Sequence, residues 1–561
     1  MMYRVYMVLA IHVAAIASAE EMAVAPIANS TEAVVVTVSD SAPAGLDVSR
    51  ISASLPYREK LSSISVTVDE TARVTNLKAR NDSKGNTFIA WQVSTDEDSA
   101  KSVNVEIAKV LPNGALVWGP VNLCHAAIDS FLSIVPDEQG GVYVGIGVDR
   151  CRSISVGGEA IEVHRIIDGG QTAWVVQFAA AQAYFRNPVL VTDCANGVIV
   201  VFETQALEPG SPRHLMAQRL TTLGRFAWEI GDMDVLMPLA ATANDEYDPV
   251  LLPSNGGVIA VFESTITNGP WVGNTNVAAQ KLGPDGLPAW NGGLPVSISF
   301  TSALESSPSV VADGNGGIVT AFEAILPGAS APDIWVQRVA GDGTLCWGSG
   351  GMPGALTATL IAERDPQLAR IDDKTIAISY ASGDCDAACS MVNAISLKGT
   401  LPWGSPRPLS DSGVPCEVTG LWSGAPGQAG LLMASSSSIR DLQFRTVTAT
   451  GVHEPIVTSV KESPLPTAMR VSAFPNPFNA KITLTVNTLG AGRVTIDIFT
   501  TLGQRVRTMT INAPAAGWHN VTWNGCGDIG ASLASGTYIY RVTGDVSALS
   551  QPVAGRMAYA R

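Results

Sequence analysis

The sequence predicts an all-β chain: a seven-bladed β-propeller followed by a smaller C-terminal β-sandwich. Three observations carry this reading. Charged residues make up only 15% of the chain, while 53 glycines and 33 prolines supply turns; helical, coiled-coil and disordered chains need more charge than this. A tryptophan returns at intervals of 54 to 62 residues through the middle of the chain. After about residue 468 that beat stops and a different set of short strands begins. At 561 residues the chain also exceeds what one core organises, so two or three folding units are expected.

The N-terminus reads as an export signal over residues 1–19. Arg4 gives a positive start, Val5 to Ala17 is short and largely apolar, and Ala17-Ser18-Ala19 is a small-x-small cleavage site. That run is too short to span a bilayer, and no later stretch approaches 18 apolar residues, so no transmembrane anchor is expected. The formal charge of −15 opposes nucleic acid and acidic membrane surfaces as partners. Eight cysteines in an exported chain permit disulfides. Cys385 and Cys389 sit close enough to bridge one hairpin, and pairing of the other six stays open.

Residues 20–71 lack the repeat and read mostly as linker, with the alternating Ile64 to Val68 as a strand that closes the ring. The repeat itself fills 72–460. Its tryptophans are Trp118, Trp174, Trp228, Trp290, Trp347 and Trp403. A turn glycine precedes each, at Gly114, Gly170, Gly224, Gly286, Gly343 and Gly399, and Gly451 continues the series without a tryptophan. Hairpin signals such as Gly140-Gly141, Asn196-Gly197, Gly256-Gly257 and Gly316-Gly317 keep the same period. Apolar runs follow them, then Ala217-Gln218-Arg219, Ala279-Gln280-Lys281 and Val336-Gln337-Arg338. Pro188, Pro249, Pro308 and Pro366 open units. In the clearest unit the four strands are expected at Ser309 to Ala312, Gly317 to Ala324, Ile334 to Val339 and Thr344 to Trp347. Four antiparallel strands repeated about every 56 residues, with runs apolar on both faces, indicate propeller blades. Six or eight blades are also compatible with the spacing. Immunoglobulin-type units need about 100 residues each.

A proline-rich linker, 461–467, leads to the last 94 residues, 468–561. Strands at Lys481 to Val486, Arg493 to Phe499, Trp518 to Trp523 and Thr537 to Val542 predict a β-sandwich. The motifs here are Phe474-Pro475-Asn476-Pro477-Phe478-Asn479, Leu502-Gly503-Gln504-Arg505-Val506, Gly517-Trp518-His519-Asn520-Val521-Thr522-Trp523 and Leu533-Ala534-Ser535-Gly536-Thr537-Tyr538. In this order they resemble the C-terminal sorting domain (type A) of type IX secretion substrates, similar to the immunoglobulin-like domain of the flagellar hook-capping protein family. The resemblance implies an immunoglobulin-like sandwich on a bacterial protein. It also implies export across the outer membrane, with the type IX secretion machinery as partner, and a secreted or cell-surface destination. Its motif residues here are Pro475, Asn476, Pro477, Phe478, Leu502, Gly503, Trp523, Gly536 and Tyr538. Arg556 and Arg561 stand where family members usually carry a lysine.

Chemistry is sparse. There is no Gly-x-Ser-x-Gly, no His-Glu-x-x-His and no sialidase-type Asp box, and the histidines are scattered singly. Asp313-Gly314-Asn315-Gly316-Gly317 lacks the ligand alternation of a calcium loop. No catalytic residue, metal or cofactor is expected. Glu203, Glu263 and Glu323, spaced 60 and 60, end the same strand in three units. Such a rank could bind a cation, a basic ligand or glycan hydroxyls, or cleave glycosides. Its threefold recurrence favours cross-strand pairing with Arg219, Lys281 and Arg338. The long loops Ala206 to Arg213, Thr265 to Asn276 and Ile325 to Asp333 share one rim, and Trp271 at such a tip is the best contact residue. The reading is a non-catalytic binding or adhesion protein whose propeller loops hold a glycan or an envelope protein. Its alternatives are a secreted polysaccharide hydrolase or lyase and a structural envelope component.

Overall fold

The computed structural model describes residues 22–28, 30, 32–39, 45–51, 59–65, 73–94, 103–149, 159–230, 233–299, 302–348, 354–383, 389–409, 416–435, 438–453, 471–474, 478–479, 481–488, 492–513, 517–528, 531–544 and 553–559. The expected signal segment, Cys385 and the 461–467 linker lie outside them. The chain forms two compact units, Met1–Val460 and Lys461–Arg561. Among the described residues no helix is long and apolar enough to cross a membrane.

In the first unit, antiparallel strands follow in chain order within each sheet, so every group of four begins with an inner strand and ends with an outer one. Residues 183–240 show the plan: Ala183–Thr192, Val198–Ala206, Arg213–Leu220 and Met237–Ala240. The next two groups have inner strands Asp245–Ser254 and Leu304–Ala312. Glu363–Arg370 and Cys416–Ser423 begin two further groups, joined into one sheet by a single parallel pairing, Cys389 with Cys416. Ahead of these, Arg73–Asn81 starts a group that shares the long strand Leu116–Pro136 with its successor.

The N-terminal stretch corrects the sequence reading. Residues expected to be linker form a complete four-stranded sheet, Met22–Pro26, Ala33–Ser39, Gly45–Ile51 and Glu59–Ser65. Of the strand expected to close the ring, Ile64 and Ser65 belong to this sheet, with Ile64 buried, and residues 66–68 lie outside the described residues. The sheet lacks the Trp and Gly-Gly markers of the repeat, but its valine-rich second strand is buried on both faces, as a packed blade strand must be.

Eight apolar clusters each join two successive groups. Val34, Val36 and Leu46 pack with Ile89 and Trp91 at the start of the series, and Phe178 packs with Phe185 and Phe202 further on. The last cluster sets Trp422, Leu432 and Phe444 of the eighth group against Val35 and Ile51 of the first. Every sheet is thus covered on both sides and the series returns on itself, a propeller-like all-β fold.

The tryptophans explain the beat. Each indole N–H donates to a carbonyl in the outer hairpin of the next group: Trp174 to Thr222 at 3.0 Å, Trp228 to Pro284 at 2.9 Å and Trp290 to Gly341 at 3.0 Å. The turn glycine of that hairpin lies over the ring, so a Cβ on Gly343 would come 2.8 Å from Trp290 Cγ, at a φ of +90° that already favours glycine. One expectation fails here. Thr344 to Trp347 is not the fourth strand, which is Gly354–Ala355. After a short bridge the buried Gln337 side chain caps Trp347, accepting its N–H at 3.0 Å and donating to its carbonyl. Gln218 does the same for Trp228. The glutamine replaces ladder bonds and releases the tryptophan toward the next group.

The prolines do not open strands either. Each follows a residue at positive φ (Asn187, Asp248, Ser307, Asp365) at a bulge inside an inner strand.

The second unit packs a three-stranded sheet (Val471–Phe474, Ile482–Thr488, Gly517–Trp523) and a four-stranded one (Arg505–Ala513, Gly492–Thr500, Gly536–Gly544, Val553–Tyr559) around Phe478, Ile496, Trp523 and Tyr540. It is a seven-stranded sandwich of immunoglobulin-like type.

Candidate functional site at the loop rim

Strand alternation places the loops between second and third strands, and the crossovers between groups, on one rim. The inner and outer hairpins lie on the opposite rim. The expected acidic pairs change partner accordingly. Arg219 and Arg338 sit at the hairpin end of their strands and pair with Asp193 and Asp313 at 2.9 and 2.8 Å. Lys281 donates to the Gly316 carbonyl at 3.1 Å. Asp313 Oδ1 meanwhile accepts the N–H groups of Asn315 and Gly317. Burial alone would raise its pKa, but these donors and the Arg338 guanidinium outweigh it and hold the carboxyl below its usual range.

Glu203, Glu263 and Glu323 stand nearer the loop rim and reach the next group. Each accepts the N–H of a bulge residue at positive φ: Asp248 at 3.1 Å, Ser307 at 2.9 Å and Asp365 at 2.9 Å. Burial raises all three carboxyls. They are joints between groups. A second acidic series, Glu246, Glu305 and Glu363, was readable in the sequence at intervals of 59 and 58 but was missed. These are buried at the start of inner strands, where Glu246 takes the Thr242 N–H and Glu305 the Val277 N–H at 2.9 Å.

One joint departs from this pattern, between the groups that begin at Ala183 and Asp245. Arg213 lies 4.0 Å above the Tyr247 ring, with Nη1 3.8 Å from Glu203 Oε2. His214 Nδ1 is 3.2 Å from Glu246 Oε2, and burial raises that carboxyl. The Asn187 amide donates to Glu203 at 2.9 Å and to the exposed Asp248 at 3.3 Å. Tyr247 Oη is 2.9 Å from Thr265 Oγ1, at the foot of the loop that carries Trp271. That loop is fastened at both sides, by Thr267 to the Ala243 carbonyl and by Asn274 to the Ser302 carbonyl at 3.1 Å. Its tip presents Trp271 and Val272, 55% and 61% exposed. Trp271 thus stands exposed at the tip of the loop between the second and third strands of its group. Arg213, His214 and Tyr247 were missed because no spacing links residues that meet only across two groups.

Three of the motif residues of the C-terminal unit lie in its core. Phe478, Trp523 and Tyr538 are buried together, with Trp523 and Tyr538 rings edge-on at 5.3 Å. Tyr538 Oη donates to the Ala534 carbonyl at 2.7 Å. Leu502 and Gly503 form an exposed hairpin tip, and Gly536 begins an exposed strand end. Pro475, Asn476 and Pro477 lie outside the described residues. Among the described residues no cluster of three or more His, Cys, Asp or Glu is placed to hold a metal.

The two units thus define a class: a propeller-like repeat followed by an immunoglobulin-like module. Residues 476–547 match the FlgD Ig-like domain. No curated protein matches the chain by sequence. Among solved structures, the chain is similar to a polysaccharide lyase of family PL25, an ulvan lyase, at 12% identity and a TM-score of 0.40, over 66% of this chain and 91% of that one. It is also similar to an α-L-arabinanase of Penicillium chrysogenum complexed with arabinobiose (10%, TM-score 0.35, 68% and 94%). A third is a protein of unknown function from Dyadobacter fermentans (9%, TM-score 0.32, 57% and 93%).

Proposed function

We propose that this is an exported protein whose repeat unit, read as eight blades, engages a carbohydrate at the loop rim beside Trp271. The supporting observation is the loop itself: a large aromatic side chain held out to solvent on a segment fastened to both neighbouring crossovers. A ring so presented stacks on a sugar face with little ordering cost. The test is a glycan-array screen of the protein followed by Trp271→Ala. The substitution is expected to weaken any hit about tenfold, the scale of one stacking contact. Unchanged binding by the variant overturns the reading.

A second reading, a polysaccharide hydrolase or lyase, is favoured by the cluster under the same loop. Arg213 supplies a fixed cation, His214 and Tyr247 supply groups that move protons, and Asp248 supplies an exposed carboxylate. Product analysis of each array hit separates the two. Intact glycan supports binding, and shortened sugars whose release is lost in His214→Ala support cleavage.

The C-terminal unit is proposed to be the sorting module of a type IX secretion substrate, supported by the order of its motifs. Truncation at Pro466 should hold the protein in the periplasm, and normal surface delivery of the truncated form would sink the idea.

A further inference from the structure

We propose that the joint between the groups beginning at Leu304 and Glu363 binds a calcium ion between the carboxylates of Asp333 and Glu363. Both residues stand at the loop rim, one opening the strand Asp333–Val339 and the other the strand Glu363–Arg370. Thr359 ties them together: its N–H donates to Asp333 Oδ1 at 3.0 Å and its hydroxyl to Glu363 Oε1 at 2.8 Å. The Thr357 hydroxyl donates to the same Asp333 oxygen at 3.3 Å. The Asp333 side-chain bonds thus fall on Oδ1, while Glu363 Oε2 has no donor although the residue is only 2% exposed. Among the described residues neither carboxylate makes an ion pair, and the nearness of Asp333 adds to burial in raising the Glu363 pKa.

The two preceding joints show what is unusual here. At the position of Asp333 they carry His214 and Asn276, an imidazole and an amide, beside Glu246 and Glu305. In the nearer of them Glu305 accepts the Val277 N–H at 2.9 Å. The equivalent N–H, of Ile334, is taken instead by Thr357 Oγ1 at 2.8 Å, so Glu363 is left without it. This joint therefore sets two carboxylates together and withholds a donor from one of them. Like charges in such a place repel, and a buried carboxylate oxygen without a partner is costly. One divalent cation removes both costs. The donors on hand are all oxygens, with the Ile361 carbonyl 3.1 Å from the Thr359 hydroxyl as a further one, and oxygen-only surroundings suit calcium. Asp333 is half-buried and Thr359 exposed, so the site opens to the rim and water completes the coordination. The inference is independent of the carbohydrate reading, because it uses none of the residues under the Trp271 loop.

The experiment is calorimetric titration of the full chain, stripped with a chelator, with calcium chloride against potassium chloride at matched ionic strength, together with thermal melts in calcium and in chelator. Saturable binding of one calcium ion is expected, with a dissociation constant of about 0.1–1 mM, the range of weak extracellular sites. Calcium should also raise the melting temperature, since the ion binds the folded chain. Asp333→Asn and Glu363→Gln should each weaken binding tenfold or more and remove the calcium-dependent rise, while Asp285→Asn at an exposed turn should do neither. Asp333→Asn copies the residue that the preceding joint carries, so it decides the matter if Glu363→Gln fails to fold. In chelator it should melt no lower than wild type, because the repulsion is gone. Equal calcium affinity in wild type and Asp333→Asn places the ion elsewhere and overturns the proposal. The absence of saturable calcium binding overturns it too, and leaves the two carboxyls sharing a proton.

Discussion

Trp290 offers the sharpest test of how the ring is held. Its side chain is fully buried, its indole N–H bonds Gly341 of the following group, and its ring packs among Ile318, Phe322 and Val339 of that group. Removing a buried ring of this size withdraws about 150–250 Å² from contact, an upper figure of about 4–6 kcal/mol. Measured truncations of this kind cost about 3–5 kcal/mol, so about 4 kcal/mol is expected for Trp290→Ala. Gly343→Ala places a Cβ 2.8 Å from the same ring at positive φ and should cost at least about 1–2 kcal/mol from backbone strain alone. The two should not add. With the ring gone the collision disappears, so the double variant should retain about 1 kcal/mol more than the sum predicts. Trp271→Ala, at the exposed tip, should stay within about 0.5 kcal/mol of wild type. Chemical denaturation of the four variants gives these differences. A loss below about 1 kcal/mol for Trp290→Ala, or strict additivity with Gly343→Ala, would refute the stapling argument.

Two further outcomes concern charge. Arg338→Ala leaves the buried Asp313 with only its N–H donors, and should cost about 2–3 kcal/mol in denaturant unfolding at neutral pH. Because the folded pKa of Asp313 is depressed, its contribution is present above the unfolded carboxylate range and disappears as pH falls through the folded value. The variant should therefore lose less than wild type on acidification; equal losses would count against the pair. Glu263 and Glu323 behave in the opposite sense. Burial raises their folded pKa, so the folded state holds protons longer than the unfolded chain and stability falls as pH rises from about 4.5. Glu263→Gln with Glu323→Gln keeps an acceptor for the Ser307 and Asp365 N–H groups and removes that penalty. Undiminished stability at neutral pH and a flatter pH profile are expected, and thermal melts across pH 4 to 8 check both.

What could be read from the sequence was whatever recurs with the period of the repeat. The tryptophan and its turn glycine are one contact divided between successive groups, so both keep the same interval and announce the joint. The Gln-Arg pair recurs for the same reason, but its two roles, capping the tryptophan and pairing with the hairpin Asp, depend on which end of the strand faces which rim. Spacing alone paired Arg338 with Glu323; register along the strand pairs it with Asp313. The first sheet escaped notice because its second strand is a plain valine run with no tryptophan, glutamine or Gly-Gly turn to mark it. Its strands are legible only once the neighbouring groups supply the faces it covers.

The same logic picks out the positions that break the repeat. Glu203, Glu263 and Glu323 face Leu215, Val277 and Ile334 across their strand pairs, which makes Arg213, Thr275 and Pro332 equivalent, and likewise His214, Asn276 and Asp333. Tyr247 corresponds to Arg186 and Ser306, each immediately before the bulge residue. A joint that served only to hold groups together would need none of these differences, since the neighbouring joints close with small or acyclic residues at the same places. Arg213, His214 and Tyr247 all depart from the repeat at one joint, and the loop above it carries the exposed Trp271. Repeated carboxylates here bind backbone N–H groups and are used up by the architecture. The side chains that break the repeat are the ones on which the proposed ligand contact rests, and mutagenesis aimed at chemistry in this chain should begin with them rather than with the acidic series.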